Sequence, residues 1–274
     1  MFQPAQFFDL EGQEAAPLFE GLERVWEALG RIAAFLRPVD GRLVAGIRRG
    51  GEVLSRTHVL WQGRVLTEGF ELRPGDVAEG RFEVFSRGER LEGATVIYAG
   101  AALLGDDIEL GQGVVIEPGA LIKGPTRIGD RTEVRQGAYI RGSCHIGRAC
   151  VVGHATELKN AVLLDGAKAA HFAYVGDSIL GRGVNLGAGS ICSNFKMTHE
   201  PVTVRLGGEI LETGMRKLGA ILGDGVEIGC NAVLNPGTLI GPRSLVYPTA
   251  SVRGYHPAGS VIKLRQGIET APRR

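Results

Sequence analysis

The chain has 274 residues, which is enough for one large domain or two modest ones. Its 31 basic and 30 acidic residues give a net charge of +1, so no overall field favours nucleic acid or an anionic membrane. Glycine accounts for 42 residues, about twice its usual share of roughly 7%, and 44% of the residues are hydrophobic. This composition predicts many tight turns in a folded chain rather than disorder.

The N-terminal sequence MFQPAQFFDLEGQEAAP lacks the basic start and the long apolar run of a signal peptide. No stretch approaches the ~20 apolar residues that a membrane-spanning helix needs. We therefore expect a cytoplasmic protein without membrane insertion. The cysteines form no CxxC pair, so we expect small buried side chains in a reducing compartment rather than a metal or redox motif. They are Cys144, Cys150, Cys192 and Cys230.

Residues 1–95 show no repeat and are predicted to form a small α+β domain. Apolar residues at helical spacing over residues 17–36 predict an amphipathic helix. The alternating stretch from Arg42 to Phe85 is broken by glycine and proline and predicts short antiparallel strands. We expect this domain to cap the open end of the architecture that follows, because an uncovered end exposes a strand edge.

Residues 96–265 are dominated by a repeat of six residues. A period of six fits neither a helix nor a long alternating strand, but it fits short strands joined by tight corners. Three such units close a triangular coil of about 18 residues, and coils stack at about 4.8 Å around a continuous core. The sequence therefore predicts a parallel β-helix. The predicted inward residues of the first phase are Leu104, Leu110, Ile116, Ile122, Ile128, Val134, Ile140, Ile146, Val152, Leu158, Leu164 and Ala170.

Two interruptions divide the repeat. Between Ala170 and Leu180 the phase is shortened by two residues, and a later stretch without hexads predicts a loop or hairpin inserted at about residues 193–218. Insertions in solenoids commonly line the binding face, which places function near residues 194–217. The repeat then resumes, and residues 266–274 are expected to form a tail.

Three cations occupy the position directly after an inward aliphatic residue. Lys123, Arg141 and Lys159 are 18 residues apart, so a three-sided coil places them in one column. Neighbouring cations about 5 Å apart repel by roughly 1 kcal/mol even in bulk water. An anion such as a phosphate bound against the column is one explanation. The other is that the long side chains splay into solvent, and the spacing alone does not decide between them.

His171 lies 12 residues after Lys159, beside the shift of phase. Histidine is the side chain best suited to take a proton from an amine near neutral pH, although a structural histidine is the alternative. His145, His154 and His199 do not add the close pair that a three-histidine zinc site needs, so no metal site is predicted. The sequence also lacks a GxxxxGK[ST] phosphate loop and a GxSxG nucleophile elbow.

The segment from Arg141 to Phe195 resembles the acetyltransferase half of the bifunctional bacterial N-acetylglucosamine-1-phosphate uridylyltransferase/glucosamine-1-phosphate N-acetyltransferase. The run ELKNAVLLDGAKAAHFAYVGDSILGRGVNLGAGSICSNF carries most of the resemblance, which covers about residues 100–255. It implies a left-handed β-helix, a homotrimer and acetyl-CoA as cosubstrate. Residues 1–95 are too short for the uridylyltransferase half of that family, so we expect no nucleotidyl transfer.

The same resemblance implies roles for individual residues. His171 corresponds to the catalytic base, and Asn194 to a residue that helps to orient this base and the substrate. Cys230 replaces a serine near the acetyl group, and Arg265 is similar to a contact of a coenzyme A phosphate. Phe195 stands where the family has a tyrosine. The implied substrate-binding residues are Arg141, Lys159, Tyr174, Asn185, Phe195 and Lys217.

Taken together, the residues and the resemblance predict a trimeric N-acetyltransferase that uses acetyl-CoA and acts on an amino-sugar phosphate similar to glucosamine 1-phosphate. Nucleic acid is not an expected partner. The alternative from another class is a non-catalytic trimeric β-helix module that binds a sugar nucleotide or scaffolds a partner. A different acyl donor, or an amine on a nucleotide-linked sugar, is a third possibility.

Overall fold

The computed structural model describes residues 2–37, 42–48, 53–206 and 208–265. The chain is nearly all β and winds through about nine turns of a β-solenoid, which confirms the predicted all-β class and the parallel β-helix. The tail predicted at residues 266–274 lies outside the described residues.

Each turn contributes a short strand to each of three faces. The first face contains Ala102–Leu104, Leu121–Lys123, Tyr139–Ile140, Ile191–Cys192, Val233–Leu234 and Ser251–Val252. The second contains Thr95–Ile97, Val115–Ile116, Glu133–Val134, Val151–His154, Lys168–His171, Asn185–Leu186, Glu227–Ile228, Leu245–Val246 and Val261–Ile262. The third contains Ile108–Leu110, Thr126–Ile128, Cys144–Ile146, Ala220–Leu222, Thr238–Ile240 and Tyr255–His256. Two longer strands, Glu157–Leu163 and Tyr174–Leu180, turn a corner and belong to the first and third faces.

The predicted inward residues fill the core through Leu158, with one difference at the start, where Leu103 points inward instead of Leu104. Beyond Leu158 the inward residues are Leu163, Ala169, Val175 and Leu180. Leu164 and Ala170, which we predicted to point inward, are not part of this core cluster. The shortening by two residues is therefore correct in size, but only one of its two steps lies between Ala170 and Leu180, and the other lies before Leu163.

The missing residues come from two successive corners between the first and third faces. Asn160 forms one corner and Asp177 the next, and each has the left-handed backbone conformation, with φ of 47° and 46°. A single left-handed residue turns the chain sharply enough for a strand to continue on the next face. Asparagine and aspartate tolerate this conformation better than most residues because their short side chains hydrogen-bond locally. These two corners lie beside the predicted cation column.

Residues 2–36 run along the third face and do not cap the end of the solenoid. Their helices are Pro4–Gln6, Ala16–Phe19 and Val25–Gly30, all of 3-10 type, and the α-helix Ile32–Phe35. The continuous helix predicted over residues 17–36 is therefore wrong. Gly21 has a φ of 67°, which is incompatible with a helix, and separates the pieces. The buried side chains of this segment, Trp26 among them, pack on outward apolar residues of the third face such as Ile179 and Ile221.

The second part of residues 1–95 pairs with the start of the solenoid. Its α-helix is Arg42–Ile47, and its strands are His58–Trp61, Arg64–Leu66, Glu71–Arg73, Glu83–Ser86 and Glu89–Arg90. The strand His58–Trp61 pairs antiparallel with Thr95–Ile97, the first strand of the second face, and so covers an edge of the solenoid. The capping role stays a prediction for this part, whereas the apolar side chains of residues 2–36 are buried against the third face.

Three of the four cysteines are buried, as predicted, and burial raises the pKa of the Cys144, Cys150 and Cys192 thiols to about 12. Cys230 differs, because its thiol is exposed. None of the described helices is long and apolar enough to cross a membrane. The described residues also contain no cluster of three or more histidine, cysteine, aspartate or glutamate side chains that would suit a metal ion.

His145 lies on the third face beneath residues 2–36, and its ring centroid is 5.6 Å from that of Phe35. Burial, together with the charge of Arg127, lowers the pKa of His145 to about 4, although Asp165 acts in the opposite direction. The unfolded chain therefore binds more protons than the folded one between pH 6.5 and 4, and stability falls as the pH falls through this range. The whole shift is worth roughly 3 kcal/mol.

We predict that His145→Leu removes this contribution. The loss of unfolding free energy between pH 7 and pH 4 should be smaller in the variant by about 3 kcal/mol, because the buried imidazole no longer has to bind a proton. Guanidinium chloride unfolding at the two pH values measures this difference. His199→Gln, at an exposed position, serves as the control. An unchanged pH dependence in His145→Leu would contradict the prediction.

Candidate functional site

Lys123, Arg141 and Lys159 lie in one column on the first face, as their spacing predicts. The residues before them, Ile122, Ile140 and Leu158, are direct partners in neighbouring parallel strands. The column therefore places each cation about 4.8 Å from the next along the solenoid axis.

Two of the three cations in this column, Arg141 and Lys159, have carboxylate partners within the chain, a possibility that neither of our two explanations included. Arg141 Nη1 lies 2.7 Å from Glu157 Oε1, and Lys159 Nζ lies 2.9 Å from Asp177 Oδ2. The bond to Glu157 raises the pKa of Arg141 further above its usual value. These carboxylates relieve the mutual repulsion of the cations, so the column by itself does not require a bound anion.

Asp177 is the buried centre of this arrangement and is only 5% exposed. Besides Lys159, its carboxylate accepts hydrogen bonds from Asn160 Nδ2 at 2.9 Å and Asn194 Nδ2 at 2.5 Å. Asp177 occupies one of the two shortened corners, and Asn194 is the last residue before the insertion leaves the solenoid. The carboxylate therefore joins the cation column to the base of the insertion.

A cavity of about 390 Å³ opens beside this centre. It brings together six of the predicted site residues and one that we did not predict, Arg216. The lining residues are Arg141, Lys159, Tyr174, Asn194, Phe195, Arg216 and Lys217. Six residues selected from the sequence thus surround a single opening in the structure.

The insertion contributes the two cavity cations that have no carboxylate partner among the described residues. Its two strands, Thr203–Leu206 and Glu209–Glu212, form an antiparallel hairpin, and the chain returns to the solenoid through Arg216 and Lys217. The Arg216 guanidinium lies over the Phe195 ring, 5.6 Å from its centroid. Both cations are exposed, and within the described chain neither makes an ion pair. Four cations and two carboxylates therefore leave a surplus of positive charge around the cavity.

Tyr174 also lines the cavity, and its phenol feels the charges of both Glu157 and Asp177. Burial is the main reason that its pKa is raised, and Glu157 and Asp177 add to the effect, while a hydrogen bond with Asn194 opposes it. The phenol therefore stays protonated near neutral pH and can donate a hydrogen bond. Gly176 makes room for this arrangement, because a Cβ there would lie 2.5 Å from the Tyr174 hydroxyl.

His171 does not line this cavity. It lies at the exposed corner where the second face ends, three residues before Tyr174. Strand register and hydrogen bonds between turns place His154, His171, Ala188 and Cys230 at successive turns of this same corner. We call these four residues the corner column. The exposed thiol of Cys230 is thus two turns away from the imidazole, and only the small side chain of Ala188 lies between them.

Two predicted residues lie apart from these groups. Asn185 is on the second face, where its Nδ2 donates to Glu227 Oε2 at 2.9 Å. Arg265 is exposed at the end of the described chain. The structure thus divides the predicted residues between the cavity, the corner column and these two separate positions.

Sequence reasoning missed Glu157, Asp177 and Arg216. The signal for Asp177 was its position 18 residues after Lys159, the spacing that had already defined the column. Glu157 lies 16 residues after Arg141, which also makes it a neighbour on the next turn. Arg216 had no such signal, because the hairpin that positions it lies outside the repeat.

Comparison with known proteins gives the following matches. A family model for the GMPPB C-terminal domain matches residues 122–246. A bifunctional sugar-1-phosphate nucleotidylyltransferase/acetyltransferase of Sulfurisphaera tokodaii is 39% identical over 100 residues, 36% of this chain and 25% of that protein. The uncharacterized acetyltransferase YaiX of Escherichia coli is 38% identical over 162 residues, 59% of this chain and 70% of YaiX. Among solved structures, the acetyltransferase domain of PglB from Neisseria gonorrhoeae is 16% identical, with a TM-score of 0.30, over 62% of this chain and 55% of that one.

These matches differ in extent. The chain spans about a quarter of the length of the bifunctional relative. It spans more than two thirds of YaiX.

We predict that Asp177→Ala destabilises the fold by about 3 kcal/mol, because Lys159 loses its partner and two amides lose their acceptor in a nearly buried setting. The matched control is Glu157→Ala in the same column. The Arg141–Glu157 pair is much more exposed, so its loss should cost less than about 1 kcal/mol. Guanidinium chloride unfolding measures both values. Equal losses in the two variants would show that Asp177 does not have the role we assign to it.

Proposed function

Because the chain belongs to the hexapeptide-repeat acetyltransferases, we propose that it transfers the acetyl group of acetyl-CoA to the amine of an amino-sugar phosphate. The extended match to YaiX supports the family assignment. The observation that carries the choice of acceptor is the cavity on the first face, which is lined by four cations, two of them paired with carboxylates, and by a protonated tyrosine. Our proposal is limited to acetyl transfer.

The phosphate of the acceptor would bind at the base of the insertion. Arg216 and Lys217 have no carboxylate partner among the described residues, whereas Arg141 and Lys159 are already paired. A phosphate gains most from cations that are not neutralised, and Arg141 and Lys159 would complete its surroundings. Tyr174 and Asn194 offer hydrogen bonds to sugar hydroxyls on the same floor. Phe195, in place of a tyrosine, provides an apolar wall.

We assign proton removal from the sugar amine to His171. Its imidazole is exposed at the corner that begins the strand of Tyr174, so an acceptor held over Tyr174 extends toward it. A positioned base of this kind contributes about 10²- to 10⁴-fold to the rate. Asn194 contacts the cavity and the Asp177 carboxylate, so its role would be to position the substrate.

The acetyl donor would lie along the corner column. The small side chain of Ala188 leaves space between His171 and Cys230. The backbone N–H groups of Ala188 and Cys230 donate no hydrogen bond to the part of the chain that the structure describes. Two free amide donors at one corner suit the developing oxyanion of acyl transfer. The amine then attacks the thioester carbonyl, His171 takes the proton, and the thiol of coenzyme A leaves. Arg265 would contact a coenzyme A phosphate.

We propose a homotrimer in which the subunits meet around the corner column. Residues 2–36 already cover the third face, so the first and second faces remain for subunit contacts. Phe172, beside His171, exposes 55% of its surface, and Tyr247 and Val261 of the second face are also exposed. A subunit contact at this position would remove these apolar side chains from water. Asn185, on the second face, would then act at the site of a neighbouring subunit.

We predict that His171→Ala lowers kcat for acetyl transfer by at least 100-fold, with little change in the KM for acetyl-CoA. Thiol release from acetyl-CoA, measured with a panel of amino-sugar phosphates that includes glucosamine 1-phosphate, provides the assay. The control is His256→Ala, a partly exposed histidine of the third face that lies outside the corner column, which should retain near wild-type activity. Near wild-type activity in His171→Ala would show that another group removes the proton. If the wild-type protein releases no thiol with any acceptor, the proposed function fails and the non-catalytic module is favoured.

We also predict that Lys217→Gln raises the KM for the sugar phosphate about tenfold, because it removes a cation without an ion-pair partner among the described residues. The KM for acetyl-CoA should not change. The effect should shrink at high salt, since exposed charges are screened. Steady-state kinetics at two ionic strengths provides the measurement. A change in the KM for acetyl-CoA alone would place Lys217 at the donor site instead.

A further inference from the structure

The cation column continues beyond the cavity along the first face. On the turns that follow Lys159, strand register places four further residues in the same column. They are Gly176, Ser193, Asn235 and Arg253. The three intermediate side chains are small or uncharged, so the first face has a shallow path between two groups of cations. Ser193, Asn235 and Arg253 line a second cleft of about 510 Å³, and Phe195 borders both cavities. The two openings are therefore consecutive parts of one groove.

The hairpin of the insertion forms the outer wall of the second cleft and is firmly attached. Val202 and Val204 are fully buried, and the strand beginning at Thr203 passes directly over two corner glycines. A Cβ on Gly237 would lie 2.8 Å from the Thr203 carbonyl oxygen, and one on Gly254 would lie 3.6 Å from the Arg205 carbonyl oxygen. These close approaches hold Arg205 beside Arg253.

The cleft carries more positive than negative charge. Lys196, Arg205 and Arg253 line it, with Glu200 as its single carboxylate among the described lining residues. Lys196 Nζ lies 3.4 Å from Thr203 Oγ1, and within the described chain none of the three cations makes an ion pair. Three cations that converge without carboxylate partners indicate a site for an anion with more than one charge. Met197, which is 95% exposed, and Pro236 add apolar surface at the same cleft.

We infer that this second cleft binds the nucleoside-side phosphate and the base of a nucleoside diphosphate-linked amino sugar, whose sugar-side phosphate lies at Arg216 and Lys217. The amino-sugar phosphate of the proposed function is then part of a nucleotide sugar. The inference rests on the proposed acetyl transfer and specifies its substrate class. Lys159 and Arg253 are four strand steps apart, or about 19 Å at about 4.8 Å per step. A hexose 1-phosphate has one ring and one phosphorus atom and cannot reach both. A nucleotide sugar spans the groove, with its base against Met197 and Pro236.

Coenzyme A also contains a nucleoside diphosphate, so the experiment has to separate two sources of the same group. We would measure the binding of UDP-glucosamine, inorganic pyrophosphate, glucosamine 1-phosphate and coenzyme A separately by isothermal titration calorimetry. The proteins are wild type, Arg205→Gln, Arg253→Gln and the matched control Arg243→Gln. Arg243 is also exposed, but it lies on a different corner of the solenoid. All three substitutions replace exposed side chains, so the fold should be preserved.

The inference predicts that Arg205→Gln and Arg253→Gln each weaken UDP-glucosamine and pyrophosphate about tenfold, because each removes a charged hydrogen bond. Glucosamine 1-phosphate and coenzyme A should bind as they do to wild type, and Arg243→Gln should bind every ligand normally. A selective loss of coenzyme A binding would overturn the assignment to the acceptor. Unchanged binding of all ligands, or no binding of pyrophosphate to wild type, would overturn the cleft as an anion site. Since no turnover is needed, these results are independent of whether acetyl transfer itself is observed.

Discussion

The parallel stacking of short strands in strict register is the constraint on which the rest of this structure depends. Because strands repeat about every 4.8 Å, a residue is brought against others that lie 17 or 18 positions away in sequence. Register therefore creates columns of like side chains, such as Lys123, Arg141 and Lys159. It also brings the carboxylates that stabilise them, since Asp177 reaches Lys159 from the next turn. Charge repulsion and its relief thus arise from the same geometry.

The candidate site occurs where this regularity is broken on three successive turns. Two corners lose a residue, at Asn160 and Asp177, and on the third turn the chain leaves the solenoid after Asn194. At these turns the side-chain amides of Asn160 and Asn194 both donate hydrogen bonds to the Asp177 carboxylate. A buried carboxylate is costly unless its lone pairs are satisfied, so this centre holds the base of the insertion in a defined position.

The sequence predicted the core and the column because both depend on spacing alone. It missed the first step of the phase shift, at Asn160, because Ala167, Ala169, Ala170 and Ala173 are all small enough to point inward, so the repeat is ambiguous there. Residues 17–36 have apolar residues at helical spacing, which predicted one continuous helix. A segment that packs on a sheet can bury the same side chains without being one continuous helix, and the positive φ of Gly21 interrupts the helix here. Six site residues meet in one cavity, whereas Arg216 depends on a hairpin whose docking no repeat encodes.

The division of labour between solenoid and insertion follows from these charges. On the solenoid, Arg141 and Lys159 are close to net neutrality because Glu157 and Asp177 lie beside them. An incoming phosphate would compete with these carboxylates and gain little from the column alone. The surplus charge comes from Arg216 and Lys217 at the base of the insertion, and from Lys196 and Arg205 along it. At the first cavity the solenoid therefore provides a nearly neutral floor, and the insertion supplies most of the positive charge that attracts an anion to the groove.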